Sequence, residues 1–209
     1  MIEYQKIPSP FLRHTDGPLR NRLIDGSWAT PELEALANTE WIWTEKVDGT
    51  NIRIHWDGHR ATYGGRTANA QIPAKLIQCL DTLVTEELFE QQFGETVATL
   101  YGEGYGAGIQ SGGHYRADMG FVLFDVRVGD VWLLRDNVAA VADGMGIDIV
   151  PVVAHGPISG AIDLVRSGAV TSKWPGARVE GLVGTTATGL LDRQGRRLIV
   201  KVKAKDFAA

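Results

Sequence analysis

The strongest constraint on the fold is a pair of short segments on either side of a turn at Asp48 and Gly49. Residues 41–44 carry tryptophan at alternate positions, and residues 52–56 alternate apolar and polar side chains, which is typical of β-strands with one buried face. Lys46 lies where the first strand runs into the turn, beside two carboxylates. A lysine at a strand end next to a flexible glycine is well placed to act as a nucleophile. The segment therefore predicts a reactive centre as well as a strand pair.

Further strand patterns follow, most of them joined by short turns. The other predicted strands are residues 4–7, 60–63, 96–101, 121–128, 131–134, 149–154, 178–183 and 198–203. The predicted helices are residues 31–37, 73–88, 137–142 and 158–166. Strands in adjacent hairpins with few helices between them favour an α+β fold built on antiparallel sheets over a doubly wound one. We expect a single domain over residues 1–209, because no linker or low-complexity tract interrupts the chain.

Charge and composition argue against several classes of protein. The formal net charge of −4 argues against a non-specific nucleic-acid binder, which is usually basic, and leaves room for a local basic groove. No apolar run approaches the ~20 residues that span a bilayer, so we expect no membrane partner. The single cysteine, Cys79, cannot form an internal disulfide. With no signal-peptide pattern at the start, it favours a cytoplasmic protein.

The last strand alternates two lysines with two valines. Val200 and Val202 face one side, and Lys201 and Lys203 face the other. Taken alone, this pattern more often indicates a solvated strand face. If the lysines were buried, they would need anions such as phosphate beside them.

Five further residues stand out, and each is open to a structural interpretation by itself. Asn51 shares a polar strand face opposite apolar neighbours, and Glu103 stands between two glycines at a strand end. Glu180 falls in the middle of a predicted strand, where it is either exposed or a metal ligand. Phe124 lies in an apolar strand and would ordinarily be core. Arg66 follows two glycines and is either a loop charge or a phosphate clamp.

The order of these residues resembles the covalent nucleotidyltransferase superfamily of RNA ligases, DNA ligases and mRNA capping enzymes. Its lysine, glutamate, aromatic and C-terminal motifs are similar, in order, to Lys46-Val47-Asp48-Gly49, Leu100-Tyr101-Gly102-Glu103-Gly104, Phe121-Val122-Leu123-Phe124-Asp125-Val126, Val179-Glu180-Gly181-Leu182-Val183 and Val200-Lys201-Val202-Lys203. A lone K-x-D-G would be weak, whereas five ordered matches over residues 45–207 are specific. The resemblance implies an ATP-grasp-like nucleotidyltransferase fold of antiparallel sheets flanked by helices.

Two details resemble the ATP-dependent RNA ligases of the second phage type and the trypanosome editing ligases. Asn51 stands where many DNA ligases and capping enzymes carry arginine, and residues 106–115 resemble the G-x-G-I-Q-x-G segment of those RNA ligases. The chain departs from the group in two ways. Asp48 stands where histidine is frequent, and only two residues follow Phe207, where the group carries a C-terminal helical domain. We therefore expect a nucleotidyltransferase domain without an appended C-terminal or OB domain.

The resemblance implies an RNA ligase that joins 5′-phosphate and 3′-hydroxyl ends through lysyl-AMP and RNA-adenylate intermediates. Three lysines would be catalytic, with Lys46 as the nucleophile and Lys201 and Lys203 as cations beside it. A lysine has an ordinary pKa near ~10.4, and desolvation and nearby cations lower it. Those cations would also stabilise the charge on the phosphates.

The resemblance also implies the groups that hold ATP and the metal. ATP would contact Glu45, Asn51, Arg66, Glu103, Phe124, Glu180 and Lys201. Within this set Glu103 would bond the ribose, Phe124 would stack on adenine and Arg66 would hold a phosphate. Mg²⁺ or Mn²⁺ would be held by Glu180, Asn51 and Asp48, directly or through water.

Two other functions are alternatives. One is DNA nick sealing or GTP-dependent capping, against which Asn51 and the loop Gly108-Ile109-Gln110 count. The other is a non-catalytic module that binds nucleotide or RNA, which is less favoured because all the motif lysines and glutamates are present. If the chain is a ligase domain alone, RNA engagement would need an accessory protein or domain in trans.

Overall fold

The computed structural model describes residues 1–207. Its strands are β1 (Phe11–Arg13), β2 (Leu23–Trp28), β3 (Trp41–Glu45), β4 (Thr50–Trp56), β5 (Ala61–Gly64), β6 (Ala98–Gly106), β7 (Met119–Val128), β8 (Val131–Trp132), β9 (Asp148–Ile149), β10 (Val152–Gly156), β11 (Gly181–Thr186) and β12 (Ile199–Lys203). Its α-helices are α1 (Pro31–Ala35), α2 (Ala74–Leu83), α3 (Glu86–Phe93), α4 (Arg135–Met145) and α5 (Ile158–Arg166). Among these residues every strand pairing except that of β7 with β9 is antiparallel, which confirms the predicted α+β class.

The described residues form two compact units. Unit 1 consists of Met1–Tyr4, Val47–Val150 and Trp174–Ala177, and unit 2 consists of Gln5–Lys46, Pro151–Lys173 and residues 178–207. Each unit has its own sheet and its own hydrophobic core. The boundary after Lys46 falls inside the K-x-D-G motif, so the motif contributes residues to both units.

Unit 1 contains a six-stranded sheet with the order β5-β4-β6-β7-β8, and β9 pairs with β7. Ile52, Ile54 and Trp56 of β4 are buried on one face, as their alternation predicts. Leu76 of α2 packs into this core, and α3 adds Phe89, whose ring stacks on Trp56 at 5.5 Å between centroids. The helices therefore cover one face of the sheet, while the polar residues of β4 lie on the other.

Two glycines allow β6 to continue through the predicted glutamate motif. A Cβ at Gly102 would lie 2.3 Å from the Phe121 ring, and one at Gly104 would lie 2.5 Å from a methyl group of Leu76. Glycine is required at both positions because neighbouring side chains pack against the backbone there. The predicted strand 96–101 is therefore too short. Glu103 lies within the strand, on the face opposite these two glycines.

Unit 2 contains a four-stranded sheet with the order β10-β3-β11-β12, and β1 and β2 form a separate pair. Trp41 and Trp43 of β3 are buried with Val200 and Val202 of β12 and with Ile158 of α5. The strands on either side of the Asp48-Gly49 turn therefore do not pair with each other. Their alternating faces belong to different cores.

Helix starts follow the local capping residues. Thr30 accepts a hydrogen bond from Leu33 N and begins α1, and α5 has the predicted bounds. The prediction of one helix over residues 73–88 is wrong. The structure has two helices there, because α2 ends at Leu83 and Thr85 begins α3 by accepting a hydrogen bond from Leu88 N. Within residues 1–207, no helix combines the length and the apolar character needed to cross a membrane.

Three further strand predictions need correction. Residues 4–7 form no strand, because Tyr4 is held by aromatic packing in unit 1 and the Gln5 amide bonds the Arg197 backbone in unit 2. The predicted strand 149–154 is interrupted at Pro151, which separates β9 from β10. The predicted strand 178–183 begins only at Gly181, so Glu180 immediately precedes β11 instead of lying within it.

Candidate active site

Lys46, Glu180 and Lys203 of unit 2 form one ion-paired group, called here the Lys–Glu–Lys group. The register of three strands brings them together, because Leu182 is paired with Glu45 and Gly181 with Lys203. The backbone N–H of Lys46 also donates to Gly181 O at 2.9 Å. The ends of β3 and β12 and the start of β11 therefore meet at one point.

The carboxylate of Glu180 bridges the two amines. Lys46 Nζ donates to Oε2 at 2.5 Å, and Lys203 Nζ donates to Oε1 at 2.6 Å. The three side chains are 22%, 20% and 19% exposed in the order Lys46, Glu180, Lys203. The group is thus mostly withdrawn from water and carries one more positive than negative charge.

The charge state of Glu180 follows from this geometry. Burial opposes ionisation, but the positive charge of Lys46 and the hydrogen bonds from Lys203 and Lys46 outweigh burial and hold the pKa of Glu180 below its ordinary value. Glu180 is therefore ionised at neutral pH. Only the neutral form of a lysine amine has a lone pair for attack, so a nucleophilic role of Lys46 requires that form.

Lys201 lies two residues before Lys203 on β12 and shares its half-buried face. Its backbone pairs with Val183 of β11, and its N–H donates to Pro8 O at 2.9 Å. The predicted alternation is confirmed, since Val200 and Val202 are fully buried. The two lysines of β12 are therefore on the face that carries the Lys–Glu–Lys group.

Glu45 is 1% exposed and is held by a loop that the sequence did not single out. Ser172 Oγ donates to one carboxylate oxygen at 2.7 Å, and the Lys173 N–H donates to the other at 3.0 Å. Both carboxylate oxygens of Glu45 thus have a donor within unit 2. Ser172 and Lys173 were missed because their loop has no periodic pattern.

Asn51 and Glu103 of unit 1 are paired directly across β4 and β6, on the polar face of the sheet. Asn51 Oδ1 is buried and accepts no hydrogen bond from the residues described in the structure. A buried carbonyl oxygen without a partner is costly. This atom therefore fits a ligand that donates a hydrogen bond, such as a metal-bound water.

Asp48 fastens the glycine-rich loop of unit 1. Its N–H donates to the Tyr115 hydroxyl at 3.2 Å, and its carboxylate accepts from Ser111 N at 3.3 Å. The neighbouring Gly49 lies against β6, because a Cβ there would come within 2.3 Å of Gly104 O. Asp48 and Gly49 thus have a structural role within unit 1. The role of Asp48 as a metal ligand stays a prediction.

Phe124 and Arg66 lie on other elements of unit 1. Phe124 of β7 is half-buried and packs against a small core that includes Val47 and Tyr105. Arg66 is exposed in the loop between β5 and α2. The structure therefore brings Lys46, Glu180 and Lys203 into contact and pairs Asn51 with Glu103. Phe124 and Arg66 lie on separate elements of unit 1.

The predicted metal ligands are all oxygen donors, which are the ligands that Mg²⁺ and Mn²⁺ prefer. Within residues 1–207, no group of three or more His, Cys, Asp or Glu side chains could hold a metal ion. A cation would therefore need waters and substrate oxygens as well as protein ligands. Mg²⁺ is commonly bound in this way, beside one or two carboxylates and phosphate groups.

A nucleophile candidate at a strand end, a bridging carboxylate and antiparallel sheets define a nucleotidyltransferase of the lysine-dependent class. The chain belongs to the RNA ligase family, whose sequence model matches residues 39–203. This span contains every site residue predicted above. No curated protein sequence matches the chain.

Solved structures of Naegleria gruberi RNA ligase share the fold. A mutant with ATP and Mn has a TM-score of 0.67 at 16% identity, covering 85% of this chain and 52% of that one. The ligase with PPi has a TM-score of 0.65 at 17% identity, covering 85% and 53%. A second mutant, with AMP and Mn, has a TM-score of 0.64 at 15% identity, covering 85% and 53%. The present chain thus spans about half the length of these relatives.

Proposed function

We propose that the chain carries out ATP-dependent RNA ligation, joining RNA 5′-phosphate and 3′-hydroxyl ends. The observation that carries this proposal is the Lys–Glu–Lys group, in which Lys46 of the motif is held beside a second lysine by one carboxylate. Membership of the RNA ligase family supports the same reaction. The chain covers only about half of the similar ligases, and the proposal includes a further domain or an accessory protein that takes part in RNA engagement.

In the first step the neutral amine of Lys46 attacks the α-phosphorus of ATP. A nitrogen–phosphorus bond forms, the bond to the pyrophosphate oxygen breaks, and the amine gives up its proton. The resulting lysyl-AMP passes AMP to the RNA 5′-phosphate and regenerates the lysine. The RNA 3′-hydroxyl then displaces AMP and forms the phosphodiester.

The Lys–Glu–Lys group controls the start of this sequence. Glu180 holds Lys46 in place beside Lys203 until the triphosphate arrives. The phosphate oxygens then compete with Glu180 for Lys203, which stabilises charge on the phosphates. Lys201, on the same strand face, adds to this positive field.

The remaining predicted residues would bind the nucleotide and the metal. Glu103 would bond the ribose, Phe124 would stack on adenine, and Arg66 would hold a phosphate. A Mg²⁺ or Mn²⁺ ion, when bound, would neutralise phosphate charge. In unit 1, Asp48 would supply a carboxylate oxygen for it, and Oδ1 of Asn51, which has no partner among residues 1–207, fits one of its waters.

Covalent labelling tests the proposal. The protein is incubated with Mg²⁺ or Mn²⁺ and with ATP or GTP labelled at the α-phosphate, and label is sought on the denatured protein. We expect label from ATP that is absent in Lys46→Ala and retained in Lys75→Ala, a control at an exposed lysine of α2. Absence of label with both nucleotides, or label that persists in Lys46→Ala, would contradict the proposal.

The polymer is identified in a second assay. Labelled protein is chased with 5′-phosphorylated RNA or DNA, either nicked in a duplex or single-stranded. We expect AMP transfer to RNA ends and sealing of RNA. Label from GTP alone would indicate a capping-type reaction, and transfer to DNA alone would indicate a DNA ligase.

A further inference from the structure

Three polar or aromatic residues on the polar face of the unit 1 sheet, opposite the helix-covered core, are buried. Arg53, Tyr101 and Asp125 lie side by side across β4, β6 and β7. They are only 3%, 0% and 3% exposed. Trp132 of β8 covers part of this group, with its ring centroid 5.0 Å from that of Tyr101.

The segment Met1–Tyr4 also lies on this group. The Tyr101 hydroxyl donates to Ile2 O at 3.1 Å, and the Tyr4 hydroxyl donates to an Asp125 carboxylate oxygen at 2.8 Å. The Tyr4 ring packs on Tyr101 with centroids 5.2 Å apart. The segment is thus fixed by its backbone and by its side chains, without joining the sheet as a strand.

The same segment contacts the residue predicted to stack on adenine. The rings of Tyr4 and Phe124 meet edge to face, with centroids 5.1 Å apart and planes at 68°. Because Phe124 is only half-buried, this contact restricts the orientations that its ring can adopt. Edge-to-face pairs are favourable beyond the area they bury.

The segment also holds the loop that carries Arg66. Glu3 Oε1 accepts a hydrogen bond from Ala68 N at 3.0 Å, and a Cβ at Gly64 would lie 2.7 Å from Met1 Sδ. The buried Arg53 supports the loop from the sheet side, where its Nε donates to Gly65 O at 2.6 Å. The backbone is therefore anchored on both sides of Arg66.

We propose that Met1–Tyr4 is a positioning element of the nucleotide site, in which Tyr4 orients Phe124 and Glu3 fixes the Arg66 loop. This inference rests on the proposed ATP-dependent function. Tyr4 and Glu3 act through Phe124 and Arg66 and touch no substrate. Their loss should therefore weaken ATP binding in self-adenylylation without changing the chemistry at Lys46.

Two measurements on the full chain test the proposal. The first is hydrogen exchange of the backbone amides of residues 65–70, which needs no activity. The second is the pair KM for ATP and kcat for self-adenylylation. In Glu3→Ala we expect roughly fivefold faster exchange in this loop, as for loss of one hydrogen bond, and a raised KM with kcat unchanged. Glu3→Gln keeps an acceptor oxygen and should restore both values.

The Tyr4 variants separate the ring from the hydroxyl. Tyr4→Ala should raise KM for ATP by roughly two- to tenfold, the range that one edge-to-face contact supports. Tyr4→Phe keeps the ring and its contact with Phe124, so its KM should stay close to that of the wild type. Glu95→Ala, at an exposed carboxylate elsewhere in unit 1, is the control and should match the wild type. Thermal unfolding of each variant shows whether it is folded.

The outcomes are distinct. Unchanged exchange in Glu3→Ala, or faster exchange with an unchanged KM, overturns the positioning role of Glu3. A wild-type KM in Tyr4→Ala overturns that of Tyr4, and so does a fall in kcat alone. If the wild-type chain acquires no AMP at all, the proposed function fails, and the inference that depends on it fails too.

Discussion

Replacing Glu180 by glutamine removes the charge that holds two ammonium groups together. Lys46 and Lys203 donate to different oxygens of Glu180, so in the glutamine variant one of the two amines faces an NH₂ group that cannot accept its hydrogen bond. Removing one partner of a buried ion pair costs about 3–5 kcal/mol, whereas exposed pairs contribute about 0–1 kcal/mol. With side chains about one-fifth exposed, we expect Glu180→Gln to lower the free energy of unfolding by about 2–3 kcal/mol at pH 7.

The pH dependence of this loss has a defined sign. The pKa of Glu180 is depressed in the folded protein from its ordinary value of 4.5. Its ionised form therefore contributes stability that is fully present above pH 4.5 and is lost as the pH falls through the lower, folded pKa. The Glu180→Gln variant lacks this contribution at every pH, because its side chain does not ionise. The difference between wild type and Glu180→Gln should thus shrink below about pH 4.5.

Urea denaturation of both proteins between about pH 7 and pH 3 measures this difference. Glu90→Gln, at an exposed glutamate of α3, provides the matched control and should change stability by less than about 0.5 kcal/mol. A Glu180→Gln loss that stays constant across the pH range would refute the argument. So would a loss at pH 7 no larger than that of the control.

Three smaller predictions concern single contacts. Thr85→Ala removes the hydroxyl that caps α3 and should cost about 1 kcal/mol in thermal unfolding, with Thr85→Ser close to wild type. Ser172→Ala leaves the buried Glu45 carboxylate one donor short; we expect a stability loss of about 1–3 kcal/mol and slower self-labelling. Gly104→Ala places a methyl group against Leu76 and should destabilise the protein by about 1–3 kcal/mol in urea, whereas an unchanged midpoint would contradict the packing argument.

Helices that are specified by a capping residue or by apolar periodicity could be predicted from the sequence. The threonine before Pro31 and the apolar periodicity of residues 158–166 gave α1 and α5 with good bounds. The helix 73–88 was predicted as one element because its apolar positions keep the helical period. Its break depends on Val84, whose non-helical backbone ends α2, and on Thr85, which begins α3. Periodicity alone does not separate two helices that bury the same face.

The glycine motif around Glu103 shows a second limit. Glycines usually indicate turns, so the strand was predicted to end at residue 101. Gly102 and Gly104 instead make room for Phe121 and Leu76 inside a continuous strand. These neighbours come from β7 and α2, which are distant in sequence, and their approach cannot be inferred from β6 itself.

For the site, the sequence determined which residues carry chemistry, because their order along the chain matches a family of lysine-dependent nucleotidyltransferases. It also determined that Lys201 and Lys203 share a strand face, since side-chain direction alternates along any strand. Tertiary structure alone decided their partners. It placed Glu180 between Lys46 and Lys203, used the Glu45 carboxylate to hold residues 172–173, and left Asn51 Oδ1 without a donor among residues 1–207. These contacts depend on strand register and loop packing, which leave no periodic pattern in the sequence, and those of Lys46 with Glu180 and of Glu45 with Ser172 join residues more than 100 positions apart.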